Sequence, residues 1–98
     1  MRTYAYPVGM LSPVEAAFLS VVRSEPMGTL DAQSQLKSVF GLNVKHQSLY
    51  VTAQRMRDQG YIRTARAQPD FTKPHTITRK GLQVLVRACV FWQTVADV

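Results

Sequence analysis

Apolar and polar positions alternate with a helical period through most of the chain and change period only once. In "LSPVEAAFLSVVRSEP", Val14, Phe18, Val21 and Val22 form one apolar stripe at spacings of three and four. Ser12 stands as N-cap, Pro13 at the first helical position and Glu15 two residues further, the pattern of a capping box, and Pro26 stops the helix. "MGTLDAQSQLKSVFG" restarts at Thr29 or Asp31, with Ala32, Leu36, Val39 and Phe40 predicted as its buried side and Gly41 at its C-terminal cap. After the short turn "LNVK", the stretch "HQSLYVTAQRMRDQGYI" predicts a third helix over about 46–59, ended by Gly60. Leu49, Ala53 and Met56 mark its inner side. Gln47, Tyr50, Val51 and Gln54 fall within an arc of roughly 100° on another side.

The period then shifts towards two. "YIRTARA" and "PHTIT" read as short strands joined through "QPDFTK", whose Pro69 and Asp70 suit a hairpin tip. Thr78 caps a last helix, "RKGLQVLVRACVFWQTVADV". The start, "MRTYAYPVGM", has no period and reads as an arm. The prediction is a mainly α chain with a small β-hairpin wing, a winged helix-turn-helix carrying a long C-terminal dimerisation helix. Its expected divisions are an arm at 1–10, a DNA-binding domain at 11–78 and a dimerisation helix at 79–98.

Charge changes this picture from a fold into a surface. The 98 residues carry a net charge of +6. Residues 1–36 hold two basic and three acidic residues, whereas 37–87 hold ten basic and two acidic, a local balance of +8. A positive field concentrated on the third helix and the hairpin is what a phosphate backbone rewards, although a basic surface also serves solubility alone. Cys89 is the only cysteine, so no intramolecular disulfide can form and a reducing, cytoplasmic setting is the simpler expectation. The start lacks the unbroken apolar core of a signal peptide, and no window approaches ~18 uncharged apolar residues, so no membrane partner is expected. An enzyme is not expected either. The six acids are dispersed, and neither a nucleophile elbow nor a Gly-rich phosphate loop is present.

Three stretches resemble the PadR-like transcriptional regulators, within the wider winged-helix group that includes MarR-type repressors. "LSPVEAAFLSVVRSEPMG" is similar to that family's opening helix. "SLYVTAQRMRDQGYI" is similar to its recognition helix, with Ser48, Leu49, Tyr50, Arg55, Gly60 and Ile62 on matching positions. "HTITRKGLQVL" looks like its second wing strand and the start of its last helix, with Thr78 and Gly81 matching. The likeness spans roughly 11–85. Gln47, Val51 and Ala53 depart from it, standing where Gly, Pro and Leu are usual. The resemblance implies a homodimeric repressor that binds a pseudo-palindromic operator in double-stranded DNA and pairs through its last helix.

On that reading Gln47, Val51 and Gln54 face the major groove, where an amide can pair with adenine and an apolar side chain can meet a thymine methyl. Tyr50, His46 and Ser48 are phosphate candidates beside them. Lys45 is a cation where a helix start prefers an acceptor, so either a phosphate offsets it or Asn43 caps the helix and Lys45 is simply solvated. Arg55 reaches phosphate or pairs with Asp58. Arg63, Arg66 and Lys73 are wing cations for backbone or minor groove, or a charged hairpin edge.

On the last helix Leu82, Leu85, Val86, Cys89, Trp92 and Ala96 form one apolar stripe, with Val84, Ala88, Phe91 and Val95 beside it. So wide an arc predicts a dimer interface, against packing wholly on the first helix. Some PadR-like dimers hold flat aromatic ligands in a tryptophan-lined pore. Trp92 stands where such a pore would use it, plain packing being the alternative, and no other residue points to an effector. Neither a metal nor a cofactor is expected, because His46, His75 and Cys89 share no ligand spacing. The rival to DNA binding is a winged helix used for protein contact, for example a mobile-element protein that blocks a host protein.

Overall fold

The structure, a computed structural model of the chain, describes residues 10–65 and 74–97. The arm expected at 1–10, apart from Met10, lies outside the described residues, as does the hairpin tip with Arg66 and Lys73. The element order is α1 Pro13–Ser24, α2 Thr29–Phe40, α3 His46–Asp58, β1 Ile62–Thr64, β2 His75–Ile77 and α4 Arg79–Ala96. Four helices and one antiparallel strand pair make this the winged helix-turn-helix plan.

Local chemistry sets most of the boundaries. The capping box at α1 is complete: the Glu15 amide donates to Ser12 Oγ at 3.2 Å, and the Ser12 amide donates to Glu15 Oε1 at 2.8 Å. At the end of α2, Gly41 takes a left-handed φ of 67°, and the Leu42 amide reaches back to the Leu36 carbonyl. At the end of α3, Gly60 does the same with φ 81°, and the Tyr61 amide closes on the Met56 carbonyl. α4 starts on Thr78, whose hydroxyl accepts the Gly81 amide at 3.0 Å and donates to the Gly60 carbonyl at 2.6 Å. Gly81 is needed there for space, since a Cβ at that position would run into the Tyr61 carbonyl.

The core is made by Phe18, Leu19 and Val22 of α1, Leu36 of α2, Leu49 and Met56 of α3, Ile62 of β1, and Leu85 and Ala88 of α4. β1 and β2 pair with Ile62 opposite Ile77 and Thr64 opposite His75. Met27, between α1 and α2, adds a bridge to His75 on the other edge of β2. This wires the hairpin to the helical body.

Two expectations need correction. Val39 and Phe40, predicted as part of the buried side of α2, are 62% and 46% exposed. The chain reverses at Gly41, and Leu42 and Val44 return to pack on the core in their place. The single stripe expected on α4 is split between two faces. Leu85 and Ala88 are buried and Val84 and Trp92 pack on the protomer's own core, while Leu82, Val86, Cys89 and Ala96 lie on the exposed side. Among the described residues, no helix is long and apolar enough to cross a membrane.

Candidate nucleic-acid interface

α3 is held from three sides. Leu49, Ala53 and Met56 bury its inner face. The turn before it is pinned from α2 by Gln33, whose Nε2 donates to the Val44 carbonyl at 2.8 Å. Arg55 meets Glu15 at 3.5 Å, through the carboxylate oxygen that the capping box leaves over. Of the two partners offered for Arg55, phosphate or Asp58, the acid is replaced by one from 40 residues earlier. An exposed pair of this kind contributes well under ~1 kcal/mol, but it orients the guanidinium beside the helix.

With the inner face fixed, the outer face follows by geometry. Gln47, Tyr50, Val51 and Gln54 are all exposed, Tyr50 and Val51 at 58% and 54%. A β-branched residue that open on a monomer surface is poorly explained by solubility. Ser48 is also exposed, and its carbonyl accepts the Thr52 hydroxyl, a bond that keeps Thr52 turned to its own helix.

The start of α3 is open. Lys45 occupies the N-cap position in extended backbone, and no side chain caps the helix. Asn43 therefore does not play that part. His46 and Lys45 are both exposed, and the first turn holds no acid. Uncapped amides and two basic side chains at the positive end of a helix dipole form an arrangement that an anion would stabilise. Arg57 and Arg63 are exposed on the same α3–β1 segment. Arg66 and Lys73, the remaining expected contacts, lie outside the described residues.

The outer side of α4 is a second candidate surface, of opposite chemistry. Leu82, Val86 and Val90 recur every four residues along it, exposed, with Cys89 and Gln93 beside them. Leu85, one position from Val86, is only 4% exposed and belongs to the protomer's own core, whereas Val86 is 55% exposed. Ser20 and Arg23 of α1 complete a shallow groove of about 250 Å³ over this stripe. Trp92 is turned inward, its indole Nε1 donating to the Leu11 carbonyl at 3.0 Å and its ring edge-on to Phe91. No group of three metal-ligating side chains occurs among the described residues.

One residue that sequence reasoning missed joins the wing to the helical body. His75 is buried on β2, where Nδ1 is 2.9 Å from Thr64 Oγ1 and Nε2 is 3.0 Å from Thr29 Oγ1. Its ring meets Phe18 edge-on. Burial, and secondarily the charge of Arg57, push its pKa below the ordinary 6.5. Nothing local to "PHTIT" pointed to Thr29 or Phe18.

No protein-family model and no curated protein matches the sequence. The fold does find solved neighbours. A transcriptional regulator from Clostridium thermocellum superposes with a TM-score of 0.78 at 17% identity, covering 86% of this chain and 86% of that one. A PadR family transcriptional regulator from Eggerthella lenta gives 0.77 at 23% identity, over 86% of this chain and 75% of that one. A PadR-like transcriptional regulator from Bacillus cereus gives 0.74 at 24%, over 86% and 84%. The chain therefore has the winged-helix fold of PadR-like regulators.

Proposed function

We propose that this chain is a sequence-specific DNA-binding transcriptional regulator acting as a homodimeric repressor. The observation that carries the reading is the outer face of α3. Two amides, a tyrosine and an open valine stand there together, next to an uncapped helix start that an anion would stabilise. Gln47, Val51 and Gln54 read base edges in the major groove, while Lys45, His46, Ser48, Tyr50 and Arg55 hold the phosphates. Arg63, with Arg66 and Lys73, gives the wing its backbone or minor-groove contacts. The fold neighbours described as transcriptional regulators support this class of function.

The dimer is proposed from α4. An exposed aliphatic stripe of Leu82, Val86 and Val90 is self-complementary about a two-fold axis and costs free energy while it faces water. Pairing along it sets two α3 helices about one DNA turn apart, ~34 Å, on a pseudo-palindromic site. Occupying that site excludes the transcription machinery, which is how a protein of this size represses without any catalytic step. No effector is needed for the mechanism.

A second reading rests on Val39 and Phe40, whose exposure offers an apolar surface to a protein partner. Fluorescence anisotropy separates the two. The chain is titrated against its own upstream DNA and a scrambled duplex at two salt concentrations. Tight binding to the upstream DNA alone, weakened by salt, is the expected result. Absence of binding to either duplex at low salt overturns the regulator reading in favour of a protein partner.

A further inference from the structure

We infer that His75 is a protonation-sensitive latch, which holds the wing strands against the start of α2 and lets them loosen under mildly acidic conditions, weakening DNA binding. The functional half of this inference rests on the DNA-binding reading above. The latch itself does not.

The geometry comes first. The ring of His75 spans three elements besides its own: Thr64 on β1, Thr29 at the first position of α2, and Phe18 in the middle of α1. Its backbone exchanges both hydrogen bonds with Met27, the amide donating at 2.8 Å and the carbonyl accepting at 3.3 Å. A single residue thus connects the hairpin to the part of the body that leads into the helix-turn-helix. The hairpin itself is short, three residues per strand, so its angle to α3 depends on such long-range ties more than on its own pairing.

The chemistry of the neutral ring suits this position and that of the cation does not. Neutral imidazole has one donor and one acceptor nitrogen, and two hydroxyls satisfy them in either tautomer. The imidazolium has donors only, so the threonine hydroxyl that donated to the ring must accept from it instead and send its own proton to another acceptor. The cation would also sit buried beside the positive end of α2, whose N-cap is Gly28 and offers no side-chain acceptor. Arg57 of α3 adds like charge. The other charged groups on the packed elements are Glu15 and Arg23 of α1 with Glu25 at its end, Asp31 and Lys37 of α2, and Arg63 of β1; among the described residues no carboxylate offsets the effect on the ring.

The direction of the linkage follows. A histidine whose folded pKa is lowered contributes its stability fully above the ordinary value of about 6.5, and that contribution is lost as pH falls through the lowered folded value. His46, the other histidine among the described residues, is exposed on α3 among the phosphate candidates, so it is replaced in the binding test to leave His75 as the one histidine read.

The test therefore has two arms. The first needs no DNA: proton NMR follows the His75 ring and its contacts to the Phe18 ring and the Thr29 methyl from about pH 8 to pH 5. The contacts are expected to fade together as the ring titrates below the ordinary histidine value. A ring that titrates with every contact intact, or one still neutral and packed at about pH 5, overturns the latch whatever the protein binds. The second arm measures upstream-DNA affinity at constant ionic strength for His46→Gln, which leaves His75 as the one histidine, and for His46→Gln combined with His75→Gln. The single variant is expected to lose about tenfold in affinity across the same pH range, and the double variant to show a flat profile. Equal pH dependence in both would overturn the coupling to DNA. If neither variant binds DNA at any pH, the regulator reading fails, and the ring contacts alone decide the latch.

Discussion

The outer faces of α3 and α4 are both left uncovered by the protomer, yet they are built from different materials. α3 presents Gln47, Tyr50, Val51 and Gln54, with basic residues before and after. α4 presents Leu82, Val86 and Val90 in a nearly unbroken aliphatic line. Polar amides desolvate cheaply only where a partner returns their hydrogen bonds one for one, as base edges do. An aliphatic line gains only by removing area from water, which another copy of the same line does well. Exposure alone thus does not identify a partner, but exposure together with side-chain chemistry separates a groove-reading face from a self-pairing one.

The sharpest way to test the comparison begins on the inner side of α3. Leu49→Ala opens a cavity under the reading face and is expected to cost about 3 kcal/mol of stability in urea unfolding. Tyr50→Ala, one residue on, should leave the unfolding midpoint nearly unchanged, because Tyr50 is exposed. Equal losses would mean that α3 has no free face.

Next in size is the pairing line. Leu82→Glu with Val86→Glu should weaken self-association by roughly a hundredfold in sedimentation velocity, while far-UV circular dichroism stays that of the folded chain. A pair of substitutions that leaves the oligomeric state untouched would remove α4 as the dimer surface.

On the reading face the expected effects are smaller and differ in kind. Gln47→Ala should cost about 1–3 kcal/mol on the specific duplex and much less on a scrambled one. Lys45→Ala should weaken both alike and reduce the salt slope by about one. Should Lys45→Ala change specificity and Gln47→Ala only affinity, the assignments of base and phosphate contact would have to be exchanged.

The smallest effect is expected at Arg55. Its pair with Glu15 is long and exposed, so Arg55→Ala should shift stability by less than ~1 kcal/mol, and any larger loss would have to appear in DNA affinity. Chemical denaturation beside anisotropy on one sample reads both.

Where sequence reasoning and structure part, a long-range partner is usually responsible. For Arg55 the sequence offered phosphate or, within its own helix, Asp58, because a period of three or four residues shows only such neighbours. The acid it meets lies on α1. Val39 and Phe40 kept the right spacing for burial, but spacing cannot say how far a helix overhangs the core before the chain turns back. On α4 the apolar arc was evident, but its division between Leu85 and Val86 depends on how the helix is rotated against α1. His75 was the least legible. Its two hydroxyl partners lie 11 and 46 residues away, and a lone histidine in a short strand gives no sign of either.

What the chain determines by itself is everything governed by contacts a few residues apart. Ser12 with Glu15 starts α1, Gly41 and Gly60 end α2 and α3 in left-handed turns, Thr78 starts α4, and the periods of 3.6 and two sort helices from hairpin. The concentration of cations after residue 36 also belongs to the sequence. Only the tertiary structure decided which face each helix spends on the core, and therefore which faces remain exposed for a partner. It also decided that a buried imidazole would tie wing to body. Burial is a property of how all the elements are packed together, and no local pattern contains it.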